Sequence, residues 1–322
     1  MTTISLFEID LSTGKKLSKE QIVWKGTGGN CPEDPHIYKK DCFYYLLISE
    51  GGTFQDHMIT VARSSNIWGP YETGTDNYIR CTEHCDMFQD EQDRWWGVCL
   101  GMRMRDSRFM MGRESFLVSG KWEQDGWPNI DTTTIIESPK SGLDWLYIRN
   151  ANLQDHEIDD RSICLLPSKA DLSRWQEPVS FVGKRQRKLE GHTSVILTAS
   201  KDGLCRAGLV NYKDEHPYTR IWYDSGKRIV RFGVINNAKK ISRGHEAKIE
   251  NDIEELHLLI KYTKKQLVLQ YMEEDGALET IGTVDTEELS NANFVGPIIG
   301  VFATSDSNCS PPVLFKNFRI DQ

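Results

Sequence analysis

The sequence has no long apolar run and almost no helical periodicity. No stretch approaches the ~20 consecutive apolar residues that a membrane-spanning helix needs, so we expect no membrane partner. The N-terminal residues Met-Thr-Thr-Ile-Ser lack the charged region and following apolar region of a secretory signal. The one stretch with helical character is Ser168–Trp175, which we expect to form one or two turns capped by Ser168.

An excess of positive charge is also missing. The chain carries 39 Lys and Arg against 47 Asp and Glu, a formal net charge of −8. Nucleic acids and anionic membrane surfaces attract basic patches, and the sequence contains no such patch. The one local basic run, residues 184–188, is short and typical of a solvated strand or loop. We therefore expect no nucleic-acid partner.

The eight cysteines show no regular spacing. Cys81, His84 and Cys85 lie close enough to suggest metal ligation, but no second pair of Cys or His residues has zinc-ligand spacing. Reduced and mostly buried thiols are the interpretation that we favour. In a chain of this size such thiols are typical of the cytosol, so we expect a cytoplasmic protein.

Short β-strand patterns separated by turn residues fill the chain instead. Aromatic-rich or alternating runs recur, for example at Phe43–Ile48, Trp95–Leu100 and Ala207–Tyr212. A length of 322 residues allows two domains, each with its own core. The chain changes character after Pro128, where a polar, Thr-rich stretch begins. We therefore expect an all-β protein with domains at residues 1–134 and 135–322.

Glu33 is the most informative side chain of the sequence. It lies between Pro32 and Pro35 and is followed by a dense strand and a Gly51-Gly52 turn. Proline restricts φ and glycine permits unusual φ, so this pattern predicts a rigid loop that presents a carboxylate. A general acid needs such placement, because proton transfer requires hydrogen-bond reach. A surface carboxylate in a proline-rich turn is the alternative interpretation.

The stretch around Glu33 resembles a signature of the family 43 glycoside hydrolases, five-bladed β-propeller enzymes that include β-xylosidases and α-L-arabinofuranosidases. The matching residues are Glu33, Pro35, His36, Tyr38, Lys39, Tyr44, Tyr45, Glu50, Gly51, Gly52 and Thr53. Asp34 stands where the family has glycine. Its carboxylate either repels the charge of Glu33 or disturbs the turn, if that glycine has a positive φ, and the sequence leaves both open.

The resemblance extends over both expected domains. Segments 57–71, 84–87, 95–103 and 112–128 follow the family's order of strands and turns. From about residue 143 to a closing strand at 313–320, the chain resembles the concanavalin A-like β-sandwich attached to many of these enzymes. The resemblance implies an all-β fold in which a partial five-bladed β-propeller of about three blades precedes a concanavalin A-like β-sandwich.

The resemblance also implies roles for particular residues. Glu33 would be the general acid. Arg103, His36 and Trp96 would form the sugar-binding side, His36 mainly by supporting the loop of Glu33. His84 would hold Ca²⁺ or another ion in the propeller channel, although a hydrogen-bonded core histidine fits its pattern equally well. The chemistry itself requires no cofactor.

For two of these assignments, a nearby residue of the same type is an alternative. Arg105 and Arg108 are near enough to Arg103 to take the sugar-binding role in its place. Trp95 precedes Trp96 in one predicted strand, and one of two successive strand residues must face the core.

The family's inverting mechanism needs two carboxyl groups, an acid and a base that activates water. Family members carry the base and a further aspartate on blades before the acid. We find no matching positions, so the chain resembles the C-terminal portion of such an enzyme. We expect a glycosidase for xylo- or arabino-oligosaccharides from hemicellulose, with no measurable turnover by this chain alone.

Two other functions stay open at this point. One is a non-catalytic carbohydrate-binding protein. The other is an inactive fragment, or a polypeptide that works only with a separate N-terminal part. Exposed propeller edges would also favour self-association.

Overall fold

The computed structural model of the protein describes residues 2–28, 30–52, 57–80, 83–103, 108, 110–124, 126–131, 145–199, 204–250, 252–274, 276–291, 294–307 and 310–321, with the backbone alone for 75–80 and 83. The chain forms two compact units. The first contains Met1–Met102 and Glu114–Pro139, and the second contains Arg103–Arg113 and Lys140–Gln322. Strands dominate both units, which confirms the all-β prediction.

The described residues of the first unit form ten strands. They are β1 (Ile4–Leu6), β2 (Gln21–Trp24), β3 (Glu33–Lys40), β4 (Phe43–Glu50), β5 (Met58–Ser64), β6 (Glu72–Arg80), β7 (Glu83–Gln89), β8 (Trp95–Met102), β9 (Arg113–Trp122) and β10 (Pro128–Ile130). β1 pairs with β2, while β3 to β6 and β7 to β10 form two four-stranded sheets in chain order. A four-stranded antiparallel meander is the blade of a β-propeller.

Strand β4 lies at the centre of this unit because both of its faces are buried. Tyr45 and Leu47 point into a core shared with β7, β8 and β9. Leu46 and Ile48 point the other way, into a core shared with Ile4 of β1. Successive side chains of a strand alternate between faces, so a continuous apolar run suits a strand that is covered on both sides. This burial explains the dense run that begins at Phe43.

The second unit is a sandwich of two antiparallel sheets. Its elements are β11 (His156–Ile158), β12 (Ser162–Leu165), β13 (Phe181–Arg185), β14 (Gly191–Thr198), β15 (Arg206–Tyr212), β16 (Tyr218–Asp224), β17 (Ile229–Asn236), β18 (Ile241–Lys248), β19 (Glu255–Tyr262), β20 (Gln266–Glu273), β21 (Glu279–Asp285), α1 (Thr286–Leu289), β22 (Ile298–Thr304) and β23 (Val313–Ile320). The seven-stranded sheet has the order β11-β12-β23-β14-β19-β20-β21, and the six-stranded sheet has the order β13-β22-β15-β16-β17-β18.

The core of the sandwich follows the alternation of its strands. In β19, Leu256, Leu258 and Ile260 are all fully buried, and the residues between them are less so. They belong to one apolar cluster with Leu209 of β15 and Val230 of β17 in the other sheet. Inward-facing apolar residues from two sheets are what holds a β-sandwich together.

The helical prediction for Ser168–Trp175 is wrong. This segment forms turns, in which the hydroxyl of Ser168 donates a hydrogen bond to the carbonyl of Ala170 at 2.8 Å instead of capping a helix. The α-helix of the described ranges is α1, where Asp285 and Glu288 form a capping box. Within those ranges, no helix is long and apolar enough to cross a membrane.

Candidate functional site

Glu33 lies at the start of β3, in a β-bulge. Glu33 pairs with Ser49 of β4 and the next regular pair is His36 with Leu47, so β3 has one residue more than β4 between these pairs. The bulge contains Asp34, whose φ is +54°, and Pro35, which has no N–H to give to the ladder. Bulges turn side chains away from their regular directions. The bulge therefore sets where the carboxylate of Glu33 points.

A second bulge of the same kind opens β7. Glu83 pairs with Leu100 and Asp86 pairs with Val98, and His84 between them has a φ of +48°. The backbone N–H of His84 donates a hydrogen bond to Oγ of Ser49, at 2.6 Å. Ser49 is also the pairing partner of Glu33, so one residue of β4 connects the first strands of two sheets.

The two bulges bring five ionisable side chains together, which we call the polar cluster: Glu33, Asp34, His36, His84 and Asp86. Nδ1 of His84 lies 3.2 Å from Oδ2 of Asp34, and its Nε2 lies 3.9 Å from Oε1 of Glu33. The imidazole of His36 lies 3.6 Å from Asp34 and 3.5 Å from Asp86. Carboxylates and imidazoles thus alternate through the cluster, which holds each side chain by its neighbours.

Tyr38 anchors one end of the polar cluster. Its hydroxyl donates to Oδ1 of Asp86 at 2.6 Å and accepts from the backbone N–H of Met87 at 2.8 Å. Burial, followed by the hydrogen bond to the Asp86 carboxylate, raises the pKa of Tyr38 well above its usual range. The hydroxyl therefore stays protonated and keeps Asp86 in place.

Glu33 remains open to solvent within this arrangement. Its side chain is 43% exposed, against 31% for Asp34 and 28% for His84. A substrate oxygen can therefore reach Glu33, while the groups beside it are more enclosed. A proton donor needs such a geometry, in which the carboxyl group has neighbouring side chains on one side and remains accessible to solvent on the other.

The structure brings together three of the residues predicted from the sequence, Glu33, His36 and His84. It does not bring Trp96 to them. Trp96 pairs with Phe88, near the turn end of the β7–β8 hairpin, whereas His84 lies at the other end. Its indole donates to Asp90 at 2.8 Å, and this bond is the main reason why the pKa of Asp90 falls to about 2.

Arg103 belongs to the second compact unit, where its guanidinium donates to the carbonyl of Arg187 at 2.7 Å. Arg108, the alternative to Arg103 for sugar binding, also lies in that unit and donates to Oγ1 of Thr286 at 2.7 Å. Arg105 lies outside the described residues, as do Cys81 and Cys309. The sugar-binding role of Arg103 stays a prediction.

Three residues of this site carry no role in the sequence analysis, namely Tyr38, Glu50 and Asp86. Glu50 is buried and accepts hydrogen bonds from the backbone N–H and the hydroxyl of Thr27, at 3.0 and 2.6 Å. It thereby fixes the segment that leads into β3. Tyr38 follows His36 at a spacing of two, the spacing of neighbours on one strand face, and this signal could have identified it.

Comparisons with known proteins extend these observations. Residues 1–128 match the model of glycosyl hydrolases family 43, and residues 137–321 match the beta xylosidase C-terminal concanavalin A-like domain. The Beta-xylosidase of Bacillus subtilis is 34% identical over 364 aligned positions, covering 95% of this chain and 68% of the relative. The chain belongs to glycosyl hydrolases family 43.

Other family 43 proteins are similar along the same length. The Non-reducing end alpha-L-arabinofuranosidase BoGH43B of Bacteroides ovatus is 27% identical, over 94% of this chain and 64% of the relative. The solved structure described as Bacteroides ovatus Xyloglucan PUL GH43B has a TM-score of 0.78 at 26% identity and covers 98% of this chain and 71% of its own. The chain thus spans about two thirds of the length of these curated relatives.

A further structure supports the fold. The GH43 BlXynB protein from Bacillus licheniformis superposes with a TM-score of 0.81 at 24% identity, over 99% of this chain and 70% of its own. The expected combination of propeller blades and concanavalin A-like sandwich is therefore confirmed.

Proposed function

We propose that this chain carries the general acid, Glu33, of a glycoside hydrolase of the β-xylosidase or α-L-arabinofuranosidase type, and that hydrolysis needs a general base beyond the residues assigned here. The observation that carries this proposal is the placement of Glu33, solvent-accessible and 3.9 Å from the imidazole of His84 in the polar cluster. Xylo- or arabino-oligosaccharides from hemicellulose are the proposed substrates. Relatives named as a beta-xylosidase and an alpha-L-arabinofuranosidase support both sugars.

In the proposed reaction, Glu33 transfers its proton to the glycosidic oxygen as the bond from C1 to that oxygen breaks. In hydrolysis the nucleophile is water, whose proton passes to a general base that is not assigned in this chain, and it attacks C1 from the opposite face, which inverts the configuration. The imidazole of His84 lies beside Glu33, and Asp34 acts on Glu33 only through its contact with that imidazole. Protonation of the leaving oxygen matters most for natural sugars, because their alkoxide leaving groups are poor ones.

The proposed acid can be tested without the partner base by supplying azide. Azide needs no deprotonation, so it replaces base-activated water and should yield an inverted glycosyl azide. We expect such a product from xylobiose, from unactivated aryl glycosides and from dinitrophenyl glycosides. Glu33→Gln should reduce the rate on the unactivated substrates about 10²–10⁴-fold and largely spare the dinitrophenyl substrates. Mass spectrometry and release of the aryl alcohol measure both rates.

Glu91→Gln is the matched control, because Glu91 is an exposed carboxylate in the turn between β7 and β8 of the same unit. It should leave all rates unchanged. An equal loss on both substrate types with Glu33→Gln would show that Glu33 is structural. Absence of azide product from every substrate would overturn the proposal.

An ion at His84 is a separate question from this chemistry. Within the described ranges, no group of three or more His, Cys, Asp or Glu side chains is placed to hold a metal ion. Both ring nitrogens of His84 already face carboxylates, and Ca²⁺ takes six to eight oxygen ligands. These residues do not by themselves fit Ca²⁺, and no step of the proposed reaction is assigned to an ion.

Localisation and association belong to the same proposal. A cytoplasmic site of action fits the free thiols of the described cysteines, two of which, Cys85 and Cys99, are buried side by side. Self-association through edge strands of the blades is the proposed protein contact, because an edge strand offers unpaired N–H and C=O groups.

A further inference from the structure

The hydroxyl of Ser49 connects β4 to the bulge of β7. Ser49 lies next to the last residue of β4 and is only 3% exposed. Its Oγ accepts a hydrogen bond from the backbone N–H of His84 at 2.6 Å. β4 and β7 belong to different sheets, so this bond is not part of a strand ladder. A side chain therefore supplies the partner that a neighbouring strand supplies elsewhere in a sheet.

The place of Ser49 on β4 indicates a polar role rather than packing. Successive side chains of a strand alternate between faces, so Ser49 faces the same way as Tyr45 and Leu47. Those two residues belong to the apolar core that the two four-stranded sheets share. A buried hydroxyl at the end of an apolar face is costly unless it makes a hydrogen bond. The bond from His84 supplies that compensation.

His84 needs such support because of its backbone conformation. Its φ of +48° lies in the left-handed region, which is costly for a residue with a Cβ. It is also part of the β7 bulge, and a bulge leaves its extra residue out of the ladder. A strained backbone persists only when its surroundings hold it. The bond from the His84 N–H to Ser49 is a contact of that kind.

Glu33 and His84 both depend on Ser49 for their placement. Through its backbone Ser49 is the ladder partner of Glu33, and through its hydroxyl it holds His84. The imidazole of His84 lies 3.9 Å from Oε1 of Glu33. One residue therefore influences the spacing between the carboxyl group and the imidazole from both sides. A displacement of about 1 Å in an active site costs on the order of 10²-fold in rate.

We propose that Ser49 is a positioning residue of the acid site. Its hydroxyl holds the imidazole of His84 beside Glu33 and so keeps the carboxyl group within reach of the glycosidic oxygen. Ser49 itself transfers no proton and acts only through His84. This inference rests on the proposed function of Glu33.

Two variants of the full chain test the hydroxyl. Ser49→Ala removes it, whereas Ser49→Thr keeps it. Amide hydrogen exchange, followed by NMR of the isotope-labelled chain, should be about tenfold faster at His84 in Ser49→Ala, because one hydrogen bond is lost. In Ser49→Thr, exchange at His84 should match that of the wild-type chain.

The azide reaction separates positioning from general stabilisation of the fold. Ser49→Ala should slow product formation from xylobiose and from unactivated aryl glycosides about 10–100-fold. It should slow the dinitrophenyl glycosides far less, because their leaving groups need no proton. A residue that only stabilised the fold would slow both substrate types alike.

Ser64→Ala is the matched control. Ser64 is also buried, pairs with Tyr44 at the other end of β4, and accepts a hydrogen bond at Oγ from the backbone N–H of Asn66 at 3.1 Å. The change should speed amide exchange at Asn66 and leave it unchanged at His84. It should also leave the ratio of the two azide rates unchanged.

Three results would overturn the proposal. They are unchanged exchange at His84 in Ser49→Ala, equal slowing of both substrate types, and a Ser49→Thr chain that behaves as Ser49→Ala does. If the wild-type chain gives no azide product while exchange at His84 changes as expected, the acid role of Glu33 fails and the positioning role fails with it. Ser49 would then only hold the bulge of β7.

Discussion

At the scale of single residues, Asp34 shows how an unusual residue is accommodated. Its φ of +54° lies in the left-handed region, which glycine adopts readily. This explains why the family that the sequence resembles has glycine at this position. Aspartate tolerates this region at a cost of about 1–2 kcal/mol. The bulge is kept, and the Asp34 carboxylate contacts both His84 and His36. The sequence left open whether Asp34 repels the charge of Glu33 or disturbs the turn, and the turn is not disturbed.

Tyr38 is the residue whose removal should loosen the polar cluster. Tyr38→Phe deletes the hydroxyl that joins Asp86 to the backbone of Met87. Because Asp86 is 63% exposed, we expect a loss of only about 1 kcal/mol in the free energy of unfolding. Urea denaturation followed by tryptophan fluorescence measures it. Tyr44→Phe on the neighbouring strand is the control, and an equal loss there would contradict the assigned role.

At the scale of secondary-structure elements, the two bulged strands β3 and β7 form the site together. Each begins with a glutamate, contains one residue with positive φ and regains its register three residues later. Neither strand could hold the cluster alone, because Asp34 and Asp86 lie on different strands and His36 contacts both. The repeated bulge is therefore the feature that makes the site.

The close approach of strands in the sandwich gives a prediction for β15. A Cβ added at Gly208 would lie 2.1 Å from the backbone oxygen of Ile221 and 2.6 Å from Cα of Trp222, in the paired strand β16. Backbone atoms within a sheet cannot move aside easily. Gly208→Ala should therefore destabilise the second unit by about 3 kcal/mol, at the upper end for overpacked cores.

Gly276→Ala is the matched control for that change. Its added Cβ would meet Glu273 at 3.5 Å, an ordinary van der Waals distance. Thermal unfolding followed by calorimetry should show a clear decrease in the transition temperature for Gly208→Ala and almost none for Gly276→Ala. Similar transition temperatures for the two variants would mean that β15 and β16 are farther apart than described.

At the scale of the whole molecule, the distribution of carboxyl groups predicts how stability depends on pH. In the part of the chain that the structure describes, hydrogen bonds and positive neighbours lower the pKa of eight carboxyl groups, which are Asp10, Glu20, Asp90, Glu123, Asp159, Asp171, Asp285 and Glu288. A lowered folded-state pKa means that the folded state favours the ionised form. The stabilisation is therefore fully present above the ordinary pKa values of these carboxyl groups, near 3.8–4.5, which apply to the unfolded chain. It is lost as the pH falls toward about 2, the folded-state pKa of Asp90.

Asp171 should account for a measurable part of this acid sensitivity. Burial opposes its charge, but two hydrogen bonds from Arg220, at 2.5 and 2.9 Å, and the charge of that guanidinium hold its pKa below the usual value. Asp171→Asn should cost about 1–2 kcal/mol at pH 7, allowing for the 36% exposure of Asp171, and less at pH 3. Urea midpoints at both pH values measure the difference.

Asp306→Asn is the control, since Asp306 pairs with Arg206 but is 89% exposed. Its effect should stay within about 0.5 kcal/mol at both pH values. If Asp171→Asn cost as much at pH 3 as at pH 7, the ionised form of Asp171 would not be what stabilises the fold.

The sequence by itself determined the class of fold and the family, whereas the loop that it predicted around Glu33 is a β-bulge at the start of β3. These depend on local patterns. Alternating and continuous apolar runs predict strands within a few residues, and Pro32 and Pro35 fix their own φ on either side of Glu33. The helix α1 was not predicted from the sequence, although Asp285 and Glu288 have the spacing of a capping box.

Only the tertiary structure decided which distant residues meet. Asp34 and His84 are 50 positions apart, and their contact follows from the pairing of whole strands rather than from either segment. The same packing leaves Trp96 at the far end of its hairpin and places Arg103 in the second unit. Strand pairing sums many weak contacts across the sheet, so no local pattern contains its outcome.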